Sequence, residues 1–241
     1  MNKEKSPNLQ LYTPWESFWL KFGAHKTPAT LKLADEFVEL LLPNEIELEV
    51  GSASGRVSNY LAEKRNVNVV GVDINSVEIK YAMEARRKSG SSKVEFAVMD
   101  GTQLDFFDNS FDTVVMVGVI GGVELEVRRK LIAEAFRVAK PGGKVAVSEF
   151  KINLKDPERR KKYERDVDIT REWGTRIIRK GNEILFIGKH FNKYELRGML
   201  KEAGFESIQI VEHAVESVGP GDGKREVRQQ YTAWGIKPLE P

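Results

Sequence analysis

Ile46-Glu47-Leu48-Glu49-Val50-Gly51-Ser52-Ala53-Ser54-Gly55 is an apolar strand that ends in an acid and runs into a turn of small residues. Its reading decides the fold. A strand, a small-residue turn and a following helix let backbone amides approach a nucleotide-type cofactor at a helix N-terminus. The spacing then separates the candidates. A dinucleotide fingerprint needs small residues at the first, third and sixth positions, and the sixth counted from Gly51 is Arg56. A triphosphate loop closes on Gly-Lys-Ser/Thr, which this turn lacks. NAD and ATP are both argued against. A plain strand-to-helix turn, small only for packing, stays open on this stretch alone.

The next segments weigh against that plain turn. Val67-Asn68-Val69-Val70-Gly71-Val72-Asp73 reads as a second buried strand with an acid at its C-terminal end. That places Asp73 about 20 residues past the turn, where a ribose hydroxyl pair needs an acceptor. A third strand, Val94-Glu95-Phe96-Ala97-Val98-Met99, ends in Asp100-Gly101. Acids ending successive strands in this order are hard to obtain by accident.

With Glu49 ahead of Gly51, Ala53 and Gly55, the run resembles motif I of the class I S-adenosylmethionine-dependent methyltransferases, an acid, any residue, then Gly-x-Gly-x-Gly. This chain departs from the motif at Ala53, whose methyl excludes the φ > 0 conformations open to glycine. Leu104-Asp105-Phe106-Phe107-Asp108-Asn109-Ser110-Phe111-Asp112-Thr113-Val114-Val115 is similar to the approach to strand four in the methyltransferase type 11 branch, without its proline. Lys140-Pro141-Gly142-Gly143-Lys144-Val145-Ala146-Val147-Ser148-Glu149 is similar to that branch's turn into strand five. The resemblance covers residues 46–150 and, weakly, Leu200-Lys201-Glu202-Ala203-Gly204-Phe205; the chain is similar to the ubiquinone/menaquinone C-methyltransferase branch without being assignable to quinones.

The resemblance implies a Rossmann-like, doubly wound α/β fold with a mostly parallel seven-stranded sheet, an antiparallel edge hairpin and a small cap. It implies S-adenosylmethionine as cofactor, held by Glu49, Gly51, Ser52, Ala53 and Gly55 of the turn, by Asp73 and Ile74 at the ribose, and by Asp100, Gly101 and Thr102 near the adenine amine. Val117 and Gly118 would face the donor at the end of strand four, and Tyr12 the sulfonium, where cation–π attraction suits the charge.

The punctuation is that of one α/β domain over residues 1–241, divided into an N-terminal helical lid (1–44), a cofactor-binding core (45–150), a substrate cap insert (151–191) and a C-terminal helix with edge hairpin (192–241). Thr27-Pro28 opens a helix carrying Leu31, Ala34, Val38 and Leu41 at helical spacing and closing at Pro43. Asn75-Ser76-Val77-Glu78 and Asn192-Lys193-Tyr194-Glu195 both have the capping-box pattern. Arg176 to Ile187 reads as a hairpin around Lys180-Gly181-Asn182, and residues 205–214 and 229–236 as a second one. In the lid, Trp15 with Trp19 and Phe18 with Phe22 stand at i,i+4 spacing, either closing over the cofactor and an apolar substrate or packing on the core.

Composition sets further bounds. The 241 residues are 41% hydrophobic and 31% charged, with a net charge of +2 and no cysteine. No apolar run approaches the ~18 residues needed to span a bilayer, and Met1 to Gln10 is too polar for a signal peptide. A cytoplasmic protein is expected, and abundant Lys and Glu without Cys point toward a thermophilic source. The missing cysteine removes disulfides, thiolate metal sites and the covalent route to pyrimidine C5 methylation. After strand four the chain reads Val117-Gly118-Val119-Ile120-Gly121-Gly122. That stretch lacks the Asn/Asp-Pro-Pro-aromatic signature of base amino-group methylation, and the acid a magnesium-dependent catechol enzyme would use.

A metal-free, in-line methyl transfer to a small-molecule acceptor is the favoured expectation, since a sulfonium is already an activated leaving group. If the acceptor must lose a proton, His190 in the cap is the candidate base, with His25 behind it and Glu149, at the end of strand five, as an equally placed polar group. His213 falls in the edge hairpin, away from the expected pocket. A tRNA or rRNA methyltransferase is the alternative, because Arg128-Arg129-Lys130, Arg159-Arg160-Lys161-Lys162 and Arg176 to Lys180 are basic. Interleaved Asp156, Glu158, Glu164 and Asp166 favour solvated helix faces instead. A non-catalytic S-adenosylmethionine-binding protein is the third reading. The sequence is silent on oligomeric state.

Overall fold

The computed structural model describes residues 31–180, 183–218 and 225–239. Its frame is a seven-stranded sheet built from β1 (Ile46–Val50), β2 (Asn68–Asp73), β3 (Val94–Val98), β4 (Phe111–Val117), β5 (Ala139–Phe150), β8 (Glu206–Val218) and β9 (Arg225–Ile236). The spatial order is β3-β2-β1-β4-β5-β9-β8. All pairings from β3 to β5 are parallel, and β9 runs antiparallel to both β5 and β8. The strand order reverses between β1 and β4, and in such sheets ligands bind outside the carboxyl ends of the strands at that switch point.

The central strands carry near-continuous apolar runs, Val114–Val117 in β4 and Val145–Val147 in β5, because both faces of the sheet are covered there. On one face Leu48, Val114, Met116, Val145 and Val147 pack with Leu131, Ile132 and Ala135 of α4 (Leu125–Val138) and Leu196 and Leu200 of α6 (Lys193–Glu202). On the other, Val69, Val115 and Ala146 meet Phe37 and Val38 of α1 (Asp35–Val38), Leu61 of α2 (Arg56–Arg65) and Ile79 and Ala82 of α3 (Ser76–Ser89). The cap segment forms α5 (Pro157–Thr170) and a separate two-stranded sheet of β6 (Thr175–Lys180) and β7 (Glu183–Lys189). Both hairpins expected from the sequence are present.

Three local expectations change. The helix expected from residue 28 to 41 is, among the described residues, the four-residue α1. Residues 31–34 are drawn out by tertiary hydrogen bonds: the Ala34 amide donates to Thr232 Oγ1, the Lys32 carbonyl accepts from Ser148 Oγ and Gln230 Nε2, and the Leu31 carbonyl accepts from Arg56. Asn75 caps α3 by accepting from the amides of Val77 and Glu78, but its own amide donates to Asp73 Oδ1 at 2.8 Å, the place Glu78 takes in a capping box. The full box forms at Asn192 with Glu195. The Pro-Gly-Gly turn lies inside β5 as a bulge: Ala139 pairs with Phe111, then Lys144 with Thr113, and Gly142 takes φ +77°.

Candidate active site

The turn after β1 is bent by its own backbone. Gly51 and Gly55 sit at φ +75° and +82°, and a Cβ at Gly51 would run into Val119 while one at Gly55 would strike the Phe96 ring. Ala53 between them also takes a positive φ, +46°, so the motif's third position needs a glycine conformation here and holds an alanine in it. The turn is fastened to β2: the amides of Gly51 and Ser52 donate to the Val72 carbonyl at 2.8 and 3.0 Å, and Ala53 N–H donates to Asp73 Oδ2 at 2.9 Å. Burial pushes the Asp73 carboxyl up, against the two backbone donors that lower it.

These residues fit the expected cofactor. Ser52 Oγ is buried with no hydrogen-bond partner among the described residues, a polar atom placed for a ligand. Ile74, next to Asp73, stands 48% exposed, an apolar surface at the strand ends. Asp100 Oδ1 accepts from the amide and the hydroxyl of Thr102, both at 2.8 Å, and the Gly101 between them leaves no room for a Cβ against Val50 and Leu131. Gly118, after Val117 at the end of β4, takes φ +74° with its amide on the Ser148 carbonyl at 2.9 Å. The Leu31 side chain lies over it.

Glu49 lies behind the turn. It is buried, its Oε2 accepts from Ser58 Oγ at 2.5 Å, and burial pushes its pKa up to about 7. Glu149 is likewise buried and raised to about 8 by desolvation. Its Oε1 accepts from Gly121 N–H at 2.9 Å, which anchors the 3-10 turn Ile120–Gly122. A Cβ at Gly121 would stand 2.6 Å from Glu149 Oε2 and 2.9 Å from the Lys189 carbonyl, so glycine is what lets this turn touch both β5 and the cap hairpin. Arg128 closes the same corner, its Nε on the Ile120 carbonyl at 2.6 Å and its fork on Glu172.

His190 follows β7 and is buried, with Nδ1 2.6 Å from the Tyr163 hydroxyl of α5. Desolvation first, then Arg176, Arg228, Arg159 and Lys189, hold its pKa well below the ordinary histidine value, so the ring is neutral. Its ring centroid is 5.6 Å from that of Phe150, the last residue of β5. Glu149 and Gly121 thus meet at the carboxyl end of the sheet, three residues past the Gly118 that follows β4, whereas His190 packs on Phe150, whose side chain points to the other face of β5. His213 instead bonds Thr232 Oγ1 at 2.9 Å in the edge hairpin. Tyr12, His25 and the aromatic segment around Trp15 lie outside the described residues.

The basic runs do not behave as uniformly solvated faces. Arg128 and Arg159 turn inward, with side chains 1% and 16% exposed. Arg129, Arg160 and Lys161 are exposed and paired with Glu126, Glu164 and Glu158. The interior arginines are what the sequence reading missed, and the signal was present: the two helical runs, at 128–130 and 159–162, each mix positions on opposite sides of their helix. Among the described residues no group of His, Cys, Asp and Glu gathers as a metal site, and no helix is long and apolar enough to cross a membrane. A cleft of about 460 Å³ between α2 and α3, lined by Asn59, Glu63, Ser89 and Lys93, adjoins the motif turn only through Asn59, whose Nδ2 donates to the Gly55 carbonyl at 2.6 Å.

Comparisons with known proteins agree with this geometry. Residues 48–143 match the family model of a methyltransferase domain. A SAM-dependent methyltransferase from Methanosarcina mazei is 33% identical, with a TM-score of 0.77 over 87% of this chain and 100% of that one. Phosphoethanolamine N-methyltransferase 1 of Arabidopsis thaliana is 32% identical over 180 residues, 74% of this chain. The chain spans about a third of the length of that plant protein, 32%. The ubiquinone/menaquinone biosynthesis C-methyltransferase UbiE of Klebsiella pneumoniae is 26% identical over 163 residues, 66% of this chain and 63% of that one.

Proposed function

The chain belongs to the S-adenosylmethionine-dependent methyltransferases, and we propose that it carries a methyl group directly from that donor to a nucleophilic atom of a small molecule. The observation that carries the reading is the turn at Gly51–Gly55 stapled to Asp73, with the buried Ser52 hydroxyl left for a ligand. When bound, S-adenosylmethionine supplies a methyl on a positively charged sulfur, an activated electrophile.

The chain's own residues then have three tasks. Asp73 accepts from the ribose hydroxyls with the lone pairs its two backbone donors leave free, Ile74 offers an apolar face, and Asp100 with Thr102 holds the adenine end. Gly118 ends β4 under the Leu31 side chain, and Gly121 lets the 120–122 turn close on Glu149 and the cap hairpin, which sets the floor against which an acceptor is aligned. The cap, α5 with β6 and β7, walls the acceptor side and excludes water. We assign Glu149 to positioning: protonated at neutral pH, it holds the 120–122 turn. His190 is neutral at working pH and able to accept a proton, but its low pKa makes it a weak base.

The relatives' names cover N-methylation of phosphoethanolamine and C-methylation in quinone biosynthesis, so only a small-molecule acceptor is carried over to this chain. Nucleic acid is disfavoured because the basic runs are split between interior arginines and surface pairs with acids. The test is calorimetric titration with S-adenosylmethionine and, in parallel, NADH, followed by an acceptor screen for turnover. Micromolar binding of the first with none of the second is expected. No binding of either would overturn the reading, and binding without turnover on any acceptor would favour a non-catalytic binding protein.

A further inference from the structure

Among the described residues one guanidinium of the cap has no hydrogen-bonded counter-ion: Asp166, the acid that acts on it from a distance, is engaged by Arg165, Arg179 and the Ile177 amide. Arg159 and Arg228 both pair with Glu226, Arg159 also with Asp156 at 3.2 Å, and Arg228 lies over the Phe150 ring at 5.2 Å. Lys189 nearby is held by Glu195 at 2.8 Å. Arg176 has no such partner: half-buried on β6, it donates to no acceptor among the described residues, and its Nε is shut off from solvent. Its cross-strand neighbour on β7 is Gly188, which brings no side chain to answer the charge. A guanidinium keeps its charge even when burial lowers its pKa, so the missing partner is an anion.

We propose that Arg176 is the centre of an oxyanion subsite in the cap, taking a carboxylate or phosphate of the methyl acceptor. Arg159 and Arg228 add positive field from behind, and both act on the same buried ring, His190. A planar guanidinium fork matches either oxyanion with two parallel hydrogen bonds, and partial burial strengthens them. The route from Arg176 to the reaction centre runs by way of His190, on which its charge acts, and Phe150, the ring His190 packs against. Phe150, under Arg228 and beside His190, is two residues past Ser148, whose carbonyl holds the Gly118 amide. An acceptor anchored by its anion at Arg176 therefore extends along the Phe150 and His190 rings toward Gly118. This anchoring role rests on the methyltransferase reading above, whereas the anion site itself does not.

The test titrates the purified full chain with inorganic phosphate and separately with acetate, at constant ionic strength, by calorimetry and thermal shift. S-adenosylmethionine is titrated into the same samples. Millimolar or tighter binding of at least one anion is expected, weakened at least tenfold in Arg176→Gln and only partly in Arg176→Lys. It should be unchanged in Arg160→Gln, an exposed arginine paired with Glu164. S-adenosylmethionine affinity unchanged in Arg176→Gln shows that the variant is folded. Phosphate binding without acetate binding points to a phosphate-bearing acceptor, and binding of both to a carboxylate-tolerant one. Equal anion binding by wild type and Arg176→Gln, or none by wild type, overturns the subsite. Anion binding at Arg176 in a protein that ignores S-adenosylmethionine overturns the methyltransferase reading and leaves the subsite standing.

Discussion

Asp73 reaches back across the sheet to the motif turn, its Oδ2 accepting the Ala53 amide at 2.9 Å while Oδ1 accepts that of Asn75 at 2.8 Å. One carboxylate thereby fixes the turn before the helix α2 and the start of α3. Its remaining lone pairs face the strand ends, where the ribose is expected.

Two separable effects follow from replacing it. Asp73→Ala removes charge-assisted acceptors worth about 1.5–3 kcal/mol, a roughly ten- to hundredfold loss in S-adenosylmethionine affinity by calorimetry. It also lowers the Tm of the cofactor-free protein, because the turn loses its staple. Unchanged affinity in this variant would break the assignment of Asp73 to the ribose.

Ala53 sits at φ +46°, and an L-residue in that region costs about 1–2 kcal/mol. Glycine relieves this but gives back about 0.4–1 kcal/mol through the freer unfolded chain. The strain wins, so Ala53→Gly should raise the Tm by about 2–4 °C, while β-branched Ala53→Val should lower it. A thermal melt in which glycine proves the least stable of the three would show that the turn does not hold this conformation.

The core was legible because periodicity and punctuation both act locally: the Val-rich runs of β2 and β4, the Asn192 box and the turn residues of the β6–β7 hairpin each declare themselves over a short stretch of chain. What stayed hidden depends on distant partners. Residues 31–34 have helical spacing, yet Ser148, Gln230 and Thr232 claim their backbone groups from the far end of the chain. The capping-box pattern at Asn75 closes through a different acid for a similar reason, since Asp73 takes the Asn75 amide in place of Glu78. At the site, the strand-end acids were readable from order alone. That Glu49 turns inward to Ser58, and that Arg159 and Arg176 turn into the cap, depends on packing no single segment encodes.

Glu149 offers a direct test of role. With its pKa at about 8, it is mostly protonated at neutral pH, so Glu149→Gln preserves both shape and the acceptor for Gly121 N–H. Near-wild-type Tm and turnover are expected at about pH 7. Glu149→Ala, which strands that buried amide, should cost about 1–3 kcal/mol by denaturant unfolding. A Glu149→Gln variant that keeps its Tm but loses turnover by about a hundredfold or more would instead make Glu149 a proton-transferring group.

Stability should fall as pH rises through the weakly basic range, and Glu47 is the residue that shows why. It lies in β1 with both carboxyl oxygens buried and unpartnered among the described residues, and desolvation raises its pKa from 4.5 to about 8. Glu45, Glu49 and Asp112 push in the same direction, and Lys144 opposes them. Between the two values the folded chain holds a proton that the unfolded chain has released, so stability drops with rising pH until the folded group also ionises. Glu149 adds the same sign. His190 and His213, both lowered, have the opposite sign, but only where unfolded histidine titrates, near 6.5 and below. The clean window therefore runs from about pH 7 to about pH 8.5. There the wild-type Tm should decline, and Glu47→Gln, neutral at every pH, should flatten the decline. A slope identical in the two proteins would mean that Glu47 is already ionised in the folded state.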